Sequence, residues 1–252
     1  MDIIVYIIGG ILAGIATGLV GLSAATIIAP LFATMLGMPV YVAIGIALAS
    51  DVLASAISAG NYIRNKNIDI ESSLLLATCV IFFTVLGSYL SKDMNPYNLN
   101  GTINIFVLML GLRFFIYPVK NGTQNKVIKP GKLLIVQTII WGAIIGMING
   151  YFGAGGGLSM LAVLTILLGY DLKRAVGTSV FIMTFTALVG ASTHIIIGGT
   201  NWVPLIITCI SAFIGANLAS IYANRIDEVK LNKVIGSFLV VYGVSLILVY
   251  FI

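Results

Sequence analysis

The pattern of apolar and polar positions in this chain is written twice. Residues 10–62 align with residues 142–194 under a constant shift of 132 positions. Gly10, Gly14, Gly18, Gly21, Gly37 and Gly45 fall on Gly142, Gly146, Gly150, Gly153, Gly169 and Gly177. In each copy an apolar run breaks at a glycine cluster and then resumes. Ten apolar segments are predicted: 3–17, 22–36, 40–61, 70–90, 100–117, 133–149, 155–168, 175–197, 203–222 and 232–251. The first, second, sixth and seventh are short, so they are either full crossings or arms of re-entrant hairpins. Paired interruptions in corresponding halves are the sequence signature of a transporter and of its substrate site.

Composition places this pattern in a membrane. The chain is 60% hydrophobic and 8% charged, with a mean hydropathy of +1.12, whereas a soluble domain carries about 25% charged residues. Several runs are long enough to span a bilayer core. The first segment continues into the repeat and has Asp2 but no basic residue before it, unlike a signal peptide. If the path reverses at every break, eleven of the thirteen basic residues fall on one side, with Lys92 opposite and Arg113 inside a segment. Excess Lys and Arg mark the cytoplasmic side, which predicts both termini outside. An odd number of segments per half makes the two copies inverted. The expected fold is therefore all-α: a polytopic membrane protein built as an inverted repeat of two five-segment halves with broken or re-entrant hairpins. Residues 1–117 form the first repeat, 118–131 a cytoplasmic linker and 132–252 the second repeat. The net charge of +5 concerns topology and lipid; nothing resembles a nucleic-acid module.

The breaks are where chemistry is expected. Glycine costs about 1 kcal/mol relative to alanine in a helix interior, and NGYFGAGGG at 149–157 is too glycine-dense for simple packing. A broken helix within the bilayer needs protein or a wet cavity around it. Helices that resume near Ser23 and Leu158 present N–H groups and positive dipole ends, which suit an anion without any lysine or arginine. The candidate substrate-binding residues are Gly21, Ser23 and Thr26 in the first copy. In the second they are Asn149, Gly153, Gly155, Gly156, Gly157 and Ser159, joined by Thr178 and Ser179 of the following segment. The stripes Gly10, Gly14, Gly18 and Gly142, Gly146, Gly150 are read as close helix packing.

Asp51 is the acidic residue deep in a long segment and is the candidate for coupling, with protons as the candidate coupling ion. A pairing with Arg113, a cap on the broken helix and direct contact with a cation are the alternatives. The lone His194 makes no multi-ligand metal site, and no metal or cofactor is expected. Cys79 and Cys209 are read as buried thiols outside any ligand motif. Asn61, Tyr62, Tyr89, Tyr97, Asn201 and Trp202 lie near segment ends and read as interface anchors. Pro204 suits an early helical position.

Taken with Pro30, Gly37 and Ala43–Gly45, the stretch Gly18–Ala25 resembles the sulfite exporter TauE/SafE family. Gly150–Gly157, Gly169 and Ala175–Ser179 carry the resemblance in the second half, and it extends over nearly the whole chain. The resemblance implies a membrane permease for sulfite, sulfoacetate or related small sulfur-containing or organic oxyanions. The first half departs from the glycine-rich pattern, since GLVGLSAAT lacks a triple glycine; symmetric anion contacts are therefore not expected.

Together these features predict a secondary transporter, not an enzyme. A small anion binds near the membrane midplane, and rocking of one repeat against the other exposes it to each side in turn. The expected location is the plasma membrane of a prokaryote, with membrane lipid around a monomer or homodimer. A passive anion channel of the same fold is the rival reading. A membrane enzyme lacks a compact set of nucleophile, base and metal ligands, and a sensor lacks an appended soluble domain.

Overall fold

The computed structural model describes residues 2–68, 70–90, 108–109, 111–116, 132–152, 156–198 and 200–251. The described residues are helical or in short turns. In chain order the helices are α1 (Asp2–Val20), α2 (Ala25–Met35), α3 (Val40–Arg64), α4 (Ile70–Leu90), α5 (Lys132–Phe152), α6 (Gly156–Ala162), α7 (Leu172–Gly198), α8 (Trp202–Arg225) and α9 (Glu228–Phe251). Helix α6 runs directly into a π-helical turn, Val163–Leu167, and residues 111–116 are also helical. The protein is thus all-α, and its described helices follow the predicted apolar segments; most of the predicted segment 100–117 lies outside the described residues. Asp2–Val20, Val40–Arg64, Leu172–Ser192 and Trp202–Arg225 are long and apolar enough to cross a bilayer.

Local chemistry sets several boundaries. Asp171 Oδ1 accepts the Arg174 N–H at 3.1 Å and so starts α7. Asp227 Oδ1 accepts the Lys230 N–H at 2.8 Å and starts α9. These are N-caps satisfied by a short acceptor side chain. Pro204 sits in the first turn of α8, where its missing N–H is harmless. Pro30 lies inside α2.

The chain divides into two compact units, each drawing on both sequence halves. The first comprises residues 1–77 and 176–225. Its central seam joins α1 to α8 through small residues. A Cβ added at Gly14 would collide with the Ala212 carbonyl oxygen; one at Gly10 would lie 2.7 Å from Ser211 Cβ, and one at Gly18 2.5 Å from Ala216 O. Every fourth residue along this stripe of α1 must therefore lack a side chain for the two backbones to approach, the packing mode used where lipid supplies no hydrophobic drive. Asn61 Nδ2 of α3 donates to Asn217 Oδ1 at 2.9 Å and Ser220 Oγ at 2.8 Å on α8, while Asn67 Nδ2 donates to Asn224 Oδ1 at 2.6 Å.

The second unit comprises residues 78–175 and 226–252. It repeats the small-residue logic: a Cβ at Gly146 would lie 2.6 Å from Val80 O, and one at Gly236 2.7 Å from the Phe115 N. Arg113 places its guanidinium carbon 5.8 Å from the Phe114 ring centroid.

One local structure recurs in both units at register-equivalent positions. Gly37 follows the end of α2 at φ 59°, and the Met38 N–H donates to Phe32 O at 3.2 Å. Gly169 follows the π-helical turn at φ 68°, and the Tyr170 N–H donates to Leu164 O at 2.9 Å. Both pairs differ by the same 132 positions. This is a left-handed glycine termination with its long backward hydrogen bond, a conformation that disfavours residues with a Cβ.

Candidate functional site

The site is built around the interruption between α1 and α2. Helix α1 ends at Val20, and Gly21 adopts φ 71°. The Gly21 N–H still donates to Thr17 O at 2.9 Å, and the Leu22 N–H to Ala16 O at 3.4 Å. Breaking a helix in an apolar medium frees carbonyl groups that must find donors, and side chains supply them here. The Thr17 hydroxyl lies 2.8 Å from Leu22 O and 3.0 Å from Ala13 O. From α3, the Tyr62 hydroxyl donates to Gly18 O at 3.0 Å. From α7, the Ser179 hydroxyl donates to Gly21 O at 3.2 Å. Three helices hold one backbone turn.

The start of α2 is satisfied differently. Its N-cap, Ala24, has no side chain that can cap. The cap comes from Asp51, 27 residues further along the chain, on α3. The Ala24 N–H donates to Asp51 Oδ1 at 3.0 Å and the Ser23 hydroxyl to Asp51 Oδ2 at 2.6 Å. Asp51 is 2% exposed. Among the described residues no ion pair reaches it; the positive end of α2 and two charge-assisted donors carry that role. The Ala25 N–H donates to Ser23 Oγ at 3.3 Å, the Thr26 N–H to Ser23 O at 3.1 Å, and the Thr26 hydroxyl to Ser23 O at 2.6 Å.

The structure brings Gly21, Ser23, Thr26, Ser179 and Asp51 to this one break. It also resolves the alternatives for Asp51 at the level of contact: the carboxylate caps the broken helix. The N–H groups expected to await an anion at the start of α2 are in use here, on Asp51 and on Ser23. Thr178 differs from its neighbour. Its residue is 1% exposed, and among the described residues its hydroxyl has no hydrogen-bond partner. Gly177 beside it is jammed on the C-terminal end of α3; an added Cβ would collide with Asn67 O and stand 3.0 Å from Tyr62 Cβ. On α3, Ser58 is likewise buried with an unpartnered hydroxyl, on the helix stripe that also carries Asp51 and Tyr62.

The second break is described in part. Gly153 and Gly155 lie outside the described residues. Asn149 belongs by its backbone to the last turn of α5, and its side chain is outside the described set; Gly156 opens α6. Gly157 and Ser159 are buried in α6. The side chain of His194 is also outside the described set. Repeat register pairs Asp51 with Met183, so the carboxylate has no counterpart in the second copy.

Sequence reasoning missed two residues. Tyr62, read as an interface anchor, is fully buried and supports the break, and its neighbour Asn61 is buried against α8. A polar residue about three turns beyond Asp51, on the same face, was the available signal. Thr17 carried a weaker one: a hydroxyl one turn before a glycine break, placed to bond backbone carbonyls.

At the start of α9, ahead of its apolar run, Glu228 is half-buried and its carboxyl is pushed up to about 7, chiefly by burial and then by Asp171, with Lys173 opposing. The cysteines are free thiols; Cys209 is buried as expected, whereas Cys79 is only partly so. Among the described residues no group of three or more His, Cys, Asp or Glu side chains is placed to hold a metal ion.

Comparison with known proteins follows the same lines. The chain is 25% identical over 269 residues to the "Probable membrane transporter protein YunE" of Bacillus subtilis (strain 168), covering 98% of each protein. It is 24% identical over 228 residues to the "Probable membrane transporter protein YdhB" of the same organism, covering 89% of this chain and 91% of that one. A third relative, the "Probable membrane transporter protein MJ0441" of Methanocaldococcus jannaschii, is 32% identical over 114 residues, 43% of each chain. No solved structure matches. The profile of the family described as Sulfite exporter TauE/SafE matches residues 6–246, and with two interrupted apolar hairpins inside that span, this multi-pass membrane transporter belongs to the TauE/SafE family.

Proposed function

We propose that this transporter moves a small anion, sulfite, sulfoacetate or a related oxyanion, across the plasma membrane by alternating access, with a proton carried at Asp51 as the coupling ion. The supporting observation is the α1–α2 break, a helix interruption held by Thr17, Tyr62 and Ser179 and capped by a buried carboxylate. Such interruptions are costly in a bilayer and persist where they serve a pathway.

The anion-contacting residues are proposed in two sets. Beside the first break the buried hydroxyl of Thr178, unpartnered among the described residues, faces the substrate, while Gly21, Ser23, Thr26 and Ser179 shape the wall through their mutual bonds. At the second break Asn149, Gly153, Gly155, Gly156, Gly157 and Ser159 are the proposed backbone and side-chain donors. The two sequence repeats are inverted and rock against each other in this reading. The negative-inside potential favours anion export by about 2.3 kcal/mol per charge per 100 mV, and a coupled proton offsets that bias.

The test is flux in proteoliposomes loaded with sulfite, sulfoacetate, thiosulfate or sulfate. Saturable flux of one of these, accelerated by an imposed pH gradient and lowered at least about tenfold by Thr178→Val, is expected; loss of one substrate hydrogen bond to an ionised group has that size. Currents that do not saturate and ignore the pH gradient would replace the carrier with a channel. Absence of flux for every oxyanion would overturn the substrate class.

A further inference from the structure

Asp51 is the one carboxylate at either interruption in the sequence, yet every feature of its surroundings points inward. Its two oxygens face the Ser23 hydroxyl at 2.6 Å and the Ala24 N–H at 3.0 Å. It is 2% exposed, whereas Ser23 is only half-buried. The side chain therefore meets α2, not a vestibule, and Ser23 is the member of the pair nearer to the surface of the fold.

We infer that Asp51 is a positioning residue rather than a ligand of the substrate: its ionised carboxylate latches the start of α2, and taking up a proton there releases one of its two donors, the Ser23 hydroxyl or the Ala24 N–H. This deepens, and rests on, the reading of the chain as an anion carrier coupled at Asp51. The step is a proton transfer alone: a proton from the aqueous phase bonds to a carboxylate oxygen, and that oxygen turns from acceptor to donor. A carboxylic acid cannot accept from both neighbours as a carboxylate does, so one of the two donors is freed. The freed group lies at the positive end of α2, which becomes available only after the internal negative charge is neutralised. Proton and anion thus follow each other at the same end of α2.

The surroundings leave Asp51 as the titrating group of this cluster. Helix α2 contributes no titratable residue. Helix α1 has Asp2 and Tyr6 near its start, and α8 has Cys209, Tyr222 and Arg225. The part of α7 in this unit has His194 alone, near its far end, and α3 itself adds Tyr41, Tyr62 and Arg64 at its two ends. Of these, Cys209 contacts Ser50, the residue beside Asp51, at 3.6 Å, and Tyr62 donates to Gly18 O. None is bonded to Asp51. Because register places Met183 opposite it in the second copy, the latch belongs to one hairpin only.

The experiment pairs a structural readout with transport. Amide hydrogen exchange of the 22–30 peptide, corrected for intrinsic chemistry, is measured on the full-length protein in nanodiscs at about pH 8 and about pH 5. In the wild type, protection is expected to fall at least about tenfold at the lower pH. In Asp51→Asn, which keeps the shape and an acceptor for Ala24, it is expected to be equal at both. Ser23→Ala removes a donor to the ionised form, so its loss of protection begins at higher pH. In sulfite proteoliposomes the same shifts appear in the pH profile of the maximal rate. pH-independent protection in the wild type, or a wild-type pH response in Asp51→Asn, overturns the latch. If no oxyanion is transported while the exchange pattern holds, the substrate reading falls and the latch stands.

Discussion

Two kinds of glycine lie within one stretch of α1 and its exit, and they are required for opposite reasons. Gly10, Gly14 and Gly18 are helical and sit where another backbone is already present; the space for a side chain is filled by α8. Gly21 has more room, since an added Cβ would meet Ser179 Cβ and Oγ at 3.2 Å, but its backbone is left-handed at φ 71°. The first set is a matter of distance and the second of conformation. The lesson is that a glycine-rich membrane segment mixes scaffolding with function at intervals of three residues, and only the backbone angle separates them.

Substitutions can break this comparison. The largest effect is expected at Gly14. Leucine there should abolish a monodisperse folded species in size-exclusion chromatography, and alanine should lower unfolding free energy by about 1–3 kcal/mol, the cost of overpacking. Gly21→Ala should cost less, about 1–2 kcal/mol, because one residue is forced into the left-handed region, and transport should fall more than stability does. Tyr62→Phe removes the donor to Gly18 O and should cost about 1 kcal/mol in the same detergent unfolding assay. Gly60, in α3, has nothing within 4 Å of an added Cβ, so Gly60→Ala should stabilise by up to about 1 kcal/mol. A loss at Gly60 as large as that at Gly14 would show that packing space does not distinguish these positions.

The smallest effect concerns pH. The Glu228 carboxyl stands raised to about 7 in the fold, above its ordinary value, so the folded state binds the proton more tightly than the unfolded chain does. Its contribution is therefore complete below the ordinary carboxyl range and is lost as pH rises through about 7. Glu228→Gln should flatten that part of the stability profile, read as melting temperature between about pH 5 and 8; partial exposure keeps the shift small.

Much of this fold was legible because period and polarity act over whole segments. The apolar runs at 40–61 and 203–222 became α3 and α8 within a few residues, and the glycine stripe of α1 announced its own seam. The break at Gly21 was legible from the repeat. What the sequence left open was partnership. Asp51 looked the same whether it pairs, titrates or caps, since a lone carboxylate in an apolar run carries no sign of its partner; the return of α2 past α3 supplies the cap, and capping and titration are not exclusive. Ser179 was expected to meet an anion; its hydroxyl also bonds Gly21 O, a partner that its place in the segment does not reveal. Tyr62 looked like an anchor because it lies near a segment end, and end position does not reveal which way a helix leans. Thr178 and Ser179 are adjacent, yet the Ser179 hydroxyl is used and that of Thr178 is unpartnered among the described residues, a distinction of about 100° around a helix that composition does not encode.

The glycine terminations at Gly37 and Gly169 have a mechanical corollary. Backbone alone makes them, so neither acid nor substrate charge alters them. Helix α2 thus has an unresponsive hinge pin at one extremity and a clasp of side chains at the other. A helix of 11 residues is about 16 Å long, which turns a sub-ångström loosening of the clasp into tilt about the pin. Under the proposed latch α2 is a lever, with Gly37 as its fulcrum.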